Sequence, residues 1–221
     1  MINSYSLFFD DGGVLNDNEL RESEWRILVG EYFVPKFGGT MEQWATANKT
    51  VFDEFLARFE TEYEGNSDYD FEEMWRKEDL IWIDSMIQEV GVEMNMTDDK
   101  KLKLVRDASV WIIGKVDSAI PGMVDIVTYL FKEHYRLYMA LSSRFYELEG
   151  YLTNMNIRHM FTGLYGPDLI STPKSSSKYY CKIFKKENLR AEAVIVIDDT
   201  PSKLEYAKET GHCDSSQFSN K

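Results

Sequence analysis

Three short runs of consecutive apolar residues, each stopped by polar or acidic side chains, constrain this chain more than any other feature. They are Leu7-Phe8-Phe9 before Asp10-Asp11, Leu137-Tyr138-Met139-Ala140-Leu141 before Ser142-Ser143, and Val194-Ile195-Val196-Ile197 before Asp198-Asp199. A strand with one wet face alternates apolar and polar residues, whereas a strand covered on both faces is apolar throughout, as in parallel sheets. Helical stretches are expected at about 121–134, 144–153, 175–188 and 202–210. Strand alternating with helix predicts an α/β fold, a Rossmann-like parallel sheet with right-handed crossovers.

Between the first and second runs the period changes from consecutive to helical. Trp25, Leu28, Val29 and Tyr32 form one stripe, and Phe52, Phe55, Phe59 and Tyr63 another. Phe71, Trp75, Trp82 and Met86 make a third, and Leu102, Val105, Ile112, Ile113 and Val116 a fourth. Spacings of three and four place each set on one helical face. Gly38-Gly39, Gly65-Asn66-Ser67 and Asn95–Thr97 supply the breaks. Residues 16–117 also carry 24 acidic and 12 basic side chains, nearly all of the chain's net charge of −13. The expected organisation is a core of residues 1–15 and 118–221, with an all-helical insert over 16–117.

Charge and hydropathy exclude several roles. With 25 Lys and Arg against 38 Asp and Glu, the surface repels nucleic acid and anionic lipid. No window approaches the roughly 20 apolar residues of a membrane span. The apolar run at Leu7–Phe9 is too short for a secretory leader. Cys181 and Cys213 are far apart and form no CxxC pair, which suits a reducing compartment. A soluble, cytoplasmic protein is expected, with its oligomeric state open.

In open α/β sheets the ligand crevice lies beyond the carboxyl ends of the strands. Asp10, Ser142, Asp198 and Asp199 should therefore converge there. Clustered carboxylates repel one another, and an oxygen-only donor set without imidazole suits Mg²⁺.

The stretch Phe9-Asp10-Asp11-Gly12-Gly13-Val14-Leu15 resembles the first motif of the haloacid dehalogenase-like hydrolase superfamily. Leu141-Ser142 is similar to its second motif, Lys174 to its third-motif lysine, and Ile197-Asp198-Asp199-Thr200-Pro201 to its fourth. All four occur in order, and the insert stands where family members carry a helical cap. The resemblance implies that Asp10 is a nucleophile forming an aspartyl-phosphate. It also implies Mg²⁺ held by Asp10, the main-chain carbonyl of Gly12 and Asp199, with Asp198 either a further ligand or a residue that holds the ligands in place. Ser142 and Lys174 would hold phosphoryl oxygens, with Lys174 pairing with Asp10, needed for function and nearly neutral for folding. The implied substrate is a small phosphorylated metabolite.

One departure bears on the reaction. The family's acid–base aspartate, two residues after the nucleophile, is Gly12 here. A metal-free dehalogenase using Asp10 and a non-catalytic binding protein are therefore alternatives to a phosphatase, although the Asp198-Asp199 pair has no purpose without a metal. An aspartate at position 12 is expected to fit the backbone and to raise activity on alkyl phosphates. Ser143 and Arg144, just beyond Ser142, are further candidates for contact with substrate. Ser175-Ser176-Ser177 reads as the N-cap of a following helix.

Overall fold

The computed structural model describes residues 5–63 and 69–212. Four parallel strands form one sheet in the order β3-β2-β1-β4, with β1 at Ser6–Phe9, β2 at Arg136–Ala140, β3 at Phe161–Tyr165 and β4 at Val194–Ile197. Phe9 is in register with Met139 on one side and with Ile197 on the other, so the ends of β1, β2 and β4 lie side by side. The chain steps from β1 to β2 to β3 in one direction and then crosses to β4 on the far side of β1. The ends of β1 and β4 thus flank the point where strand order reverses, which is where such sheets bind ligands.

Both faces of β1 are covered, which is why its residues are apolar without alternation. Leu7 and Phe9 join Leu137 and Met139 in a core closed by α5 (Met123–Lys132) and α6 (Phe145–Asn154). Phe8 and Tyr138 stack at 4.7 Å on the opposite face, against Tyr179, Ile183 and Phe184 of α8 (Ser177–Lys186). Truncating a fully buried ring such as Phe8 to alanine should cost about 3–5 kcal/mol. The fourth run differs from expectation. Ile195 is 44% and Ile197 36% exposed, so the face of β4 that they share is not covered.

Two elements depart from the sequence reading. β3 was not among the expected strands, because Thr162 and Gly163 interrupt its apolar residues and its pairing with β2 is irregular. It is followed by the short α7 (Pro167–Ile170). Cys181, buried on α8, is disulfide-bonded, which removes the support that two unpaired cysteines gave to a reducing compartment. Cys213 and the Gly65-Asn66-Ser67 break lie outside the described residues. No helix among the described residues is long and apolar enough to cross a membrane.

Between β1 and α5 the described elements are helices: α1 (Asn18–Phe37), α2 (Met41–Arg58) with a π-turn at Phe59–Tyr63, α3 (Phe71–Val90) and α4 (Asp98–Ile113). Leu28, Val29, Tyr32, Ile83, Met86, Val105, Ile112 and Ile113 make their common core, joined by Tyr151 of α6. In α2 the buried face is Trp44, Ala47 and Val51, not the Phe52–Tyr63 stripe. Those rings instead form a lateral ladder: Phe52, Phe55 and Phe59 follow one another at 5.8–6.2 Å, and Phe55 lies 5.5 Å from Trp75. Aromatic periodicity alone does not distinguish a buried stripe from a ladder of mutually stacked rings. Among the described residues β4 is followed by α9 (Pro201–Lys208) and a 3-10 turn at Glu209–His212.

The two chain segments that join the helical stretch to the sheet are themselves paired. Asn16 bridges Ala119 antiparallel, Asp17 N–H donates to Ser118 O at 2.8 Å, and Ile120 N–H donates to Leu15 O at 2.8 Å. The buried Ser118 hydroxyl donates to Asn16 Oδ1 at 2.7 Å. These bonds hold the start of α1 close to the loop after β1.

Candidate functional site

The ladder continues past β1, since Asp10 N–H donates to Ile197 O at 2.9 Å. That bond sets Asp10 beside Asp198 and Asp199. One carboxylate oxygen from each of these three aspartates lies within 4.8 Å of the others. Lys174, 3% exposed, reaches in from the segment before α8. Its Nζ is 2.8 Å from Asp10 Oδ1 and 2.6 Å from Asp198 Oδ2, and it donates to Ala140 O at 2.6 Å. A buried lysine is tolerable only where charges and acceptors surround it in this way.

The electrostatics follow from that packing. Burial raises the Asp10 carboxyl above its ordinary value; Lys174 opposes the rise, and Asp198 and Asp11 add to it. For Lys174, burial alone would lower the ammonium pKa, but Asp10 and Asp198 outweigh it and the net direction is upward. One cation thus faces three carboxylates, and the site carries uncompensated negative charge. Octahedral Mg²⁺ with oxygens at about 2.1 Å holds its donors roughly 3–4 Å apart. A set of hard oxygen donors already gathered within 4.8 Å therefore fits such an ion. Gly13 contributes by having no side chain. Its φ is 72°, and a Cβ there would overlap the Asp199 carboxylate.

Neighbouring residues hold the ends of the strands. Asp198 Oδ1 accepts from Thr200 N–H at 2.9 Å, and Thr200 Oγ1 donates to Asp199 Oδ1 at 3.1 Å. The buried Tyr179 hydroxyl donates to Tyr165 O at 2.5 Å and accepts from Leu141 N–H at 3.0 Å. This ties together the ends of β2 and β3 just before Ser142. Ser142 itself is exposed at the end of β2, on the same rim as Asp10, and Ser143 is half-buried. Gly12 lies in the loop after Asp10 and is also half-buried. Ser176 occupies the N-cap position of α8 without a side-chain capping bond.

Arg144 does something other than expected. Its guanidinium takes Asp79 of α3 in a two-pronged pair at 2.7 and 3.1 Å, donates to Glu147 at 2.9 Å and stacks 4.4 Å over the Trp75 ring. The side chain fastens the helical stretch to the sheet instead of lying open to substrate. A double-mutant cycle on Asp79→Asn and Arg144→Gln, read by chemical denaturation, should give a coupling of about 1–3 kcal/mol. A coupling near zero would remove this bridge.

The loop after β1 contains a network that the sequence reading missed. Asp11 is buried, and its carboxylate accepts from Asn16 Nδ2 at 2.5 Å and from Arg21 Nη1 at 2.5 Å. Its carbonyl accepts from Val14, Leu15 and Asn16 N–H, closing the loop on itself. Asp168, also missed, accepts from Phe145 N–H and so satisfies the start of α6. Asp11 stands within the first motif but at a position to which the motif assigns no role, and Asp168 has no motif to mark it. The space beside Gly12 is taken too: a Cβ there would sit 2.5 Å from Asn18 Oδ1 and 2.8 Å from Arg21 Nη2. The backbone at position 12 is therefore open to an aspartate, as expected, but the side-chain ends of Asn18 and Arg21 would have to move aside for it.

The site thus consists of clustered aspartates and a bridging lysine at the carboxyl ends of a parallel α/β sheet. Comparison with known proteins identifies the family. The family described as haloacid dehalogenase-like hydrolase matches residues 49–213, and the chain belongs to that family. Among solved structures it is similar to the putative hydrolase YfnB from Bacillus subtilis, bound to magnesium, at 17% identity and a TM-score of 0.64, covering 94% of this chain and 83% of that one. It is also similar to a putative beta-phosphoglucomutase from Thermotoga maritima, at 17% identity and 0.60, covering 94% and 82%. The L-2-haloacid dehalogenase from Xanthobacter autotrophicus, with chloropropionic acid covalently bound, is similar at 12% identity and 0.55, covering 96% and 75%. Likeness at these identities establishes the shared fold. No curated protein matches by sequence.

Proposed function

We propose that this hydrolase is a Mg²⁺-dependent phosphatase of a small phosphorylated metabolite, working through an aspartyl-phosphate on Asp10. The observation that carries the reading is the convergence of Asp10, Asp198 and Asp199 within 4.8 Å, bridged by the buried Lys174. Three carboxylates gathered this closely suit chemistry that needs a divalent cation. When bound, the ion would be held by Asp10, Asp199 and the Gly12 carbonyl, with Asp198 as ligand or support, and would offset repulsion between an anionic nucleophile and an anionic substrate.

The chain's own groups do the rest. Lys174 fixes Asp10 by its Oδ1, and its positive charge beside that carboxylate would favour an anionic phosphoryl group there. Ser142, at the end of β2, would donate its hydroxyl to one of those oxygens. Fixed donors and charges of this kind supply most of the barrier lowering in phosphoryl transfer. In this reading residues 1–15 and 118–221 form the core and 16–117 a helical cap. The paired segments at Asn16–Asp17 and Asp117–Ser118 would be the hinges through which the cap closes and excludes water. The cap's acidity would turn polyanions away and favour small substrates.

Metal-free dehalogenation is the second reading, and one observation favours it: the acid–base position at Gly12 is filled by Asn18 and Arg21. A panel of small phosphate monoesters and 2-haloacids, each with Mg²⁺ and with chelator, separates the two. Mg²⁺-dependent phosphate release supports the proposal. Chelator-insensitive halide release with no phosphate release would replace it by the second reading.

Calorimetry supplies a further check. Asp199→Ala should weaken Mg²⁺ binding at least roughly tenfold, the scale on which metal-site partners act. Binding as tight as in the wild type would place the ion elsewhere.

A further inference from the structure

Resting on the phosphoryl-transfer reading, we propose that Arg21 is a catalytic residue that meets the leaving oxygen at Gly12 and stabilises it by charge instead of by proton transfer. The first turn of α1 is fixed by Asp17, whose carboxylate accepts from Glu19 and Leu20 N–H at 2.9 and 3.0 Å. With the turn fixed, residues three apart share a face, so Asn18 and Arg21 point the same way. Arg21 Nη1 donates to Asp11 at 2.5 Å and Nη2 to Asn18 Oδ1 at 2.5 Å, which holds the planar group in one orientation. Nη2 then lies 2.8 Å from where a Cβ of residue 12 would be, two residues from Asp10. About a quarter of the side chain stays accessible to solvent. The guanidinium also lies 5.6 Å from the centre of the Tyr151 ring. Of its five N–H donors, the two hydrogen bonds to Asp11 and Asn18 leave others to bind an anion.

A guanidinium does not release its proton near neutrality, so it cannot act as the general acid that a carboxyl would be. It can lower the energy of negative charge that develops beside it. In the first step an Asp10 oxygen forms a bond to phosphorus while the bond from phosphorus to the leaving oxygen breaks. The electron pair stays on that oxygen, which departs as an anion hydrogen-bonded to Arg21 and takes its proton from water. Such a site suits phosphate esters of acidic alcohols and acyl phosphates, whose leaving groups are stable as anions. On this inference, adding a carboxylate at position 12 would not restore an acid. Gly12→Asp would put its carboxyl against Arg21, which would hold it ionised.

The test is a series of aryl phosphates of graded phenol acidity, turned over with Mg²⁺ by the wild type, Arg21→Gln, Arg21→Lys and Asn18→Ala. Inhibition by inorganic phosphate reports on the phosphoryl subsite in each variant. Arg21→Gln should lose on the order of 10²-fold on the least acidic phenol and progressively less on the more acidic ones. Arg21→Lys should recover part of the loss, Asn18→Ala should show a weaker form of the same trend, and phosphate inhibition should hold throughout. A loss equal across the series, with phosphate inhibition weakened alongside it, would mean that Arg21 only braces the loop, and would overturn the inference. So would Arg21→Gln turning over the whole series like the wild type. No turnover of any aryl phosphate by the wild type would overturn the phosphatase reading and this inference together.

Discussion

Asp10→Asn should lose turnover roughly 10⁴-fold or more, the scale on which removing a covalent nucleophile acts. The same variant should fold, because the position is costly in its ionised form. Burial and the neighbouring Asp198 raise the Asp10 carboxyl above its ordinary value despite Lys174. An acid whose folded pKa lies above its unfolded one favours folding while protonated, and that advantage is lost as pH rises through the folded value. Without metal, Asp10 therefore destabilises the protein above that window, and asparagine removes the penalty. A divalent ion reverses the sign, because it binds the carboxylate. Thermal unfolding with and without Mg²⁺ should show a wider gap at pH 8 than at pH 5 in the wild type and almost none in Asp10→Asn. A gap independent of pH, or one that survives in the variant, would show that Asp10 does not bind the ion.

Lys174→Ala has the second large effect, and the structure changes its sequence-based expectation. A lysine needed for function alone would be neutral for folding. Here the lysine side chain is 2% exposed and its ammonium bridges two carboxylates, and the Asp198 side chain is only 1% exposed. Removing one partner of a buried ion pair costs about 3–5 kcal/mol, because the other charge is left uncompensated. Stability near pH 7 should fall by that order, and activity should fall with it. Acidification should shrink the deficit, since the carboxyls that lost their cation take up protons. In the wild type the net upward direction for Lys174 means that its contribution is complete below the ordinary lysine value and is lost only as pH rises through the higher folded one. A denaturation series in which Lys174→Ala matches the wild type at pH 7 would contradict the bridging geometry.

What the sequence could reveal depended on how local the signal was. β1 and β2 announce themselves because both faces are buried, so every residue from Leu7 to Phe9 and from Leu137 to Leu141 is apolar. β4 reads the same way for a different reason, since one of its faces stays open at Ile195 and Ile197. β3 is interrupted by Thr162 and Gly163, and nothing in its own residues outweighs that. The aspartates were legible because a polar residue ending an apolar strand has a place in space as well as in sequence. Lys174 was legible only through family resemblance, as it arrives on a segment with no pattern of its own. Arg144 was expected at the substrate and Arg21 was not singled out at all, and in both cases the reason is nonlocal. Arg144 meets Asp79 on α3, and Arg21 on α1 meets Asp11 in the loop after β1 and Asn18, so each contact depends on where distant elements come together. No spacing within the chain encodes those pairings.

The central claim is that Asp10 becomes phosphorylated. Its most direct measurement is acid quench of the wild type during turnover of an aryl phosphate with Mg²⁺, followed by peptide mass analysis. The account predicts a transient adduct of one phosphoryl group on the peptide containing Asp10, absent with chelator and absent in Asp10→Asn. Product release with no adduct at any time, or an adduct on a residue other than Asp10, would contradict it.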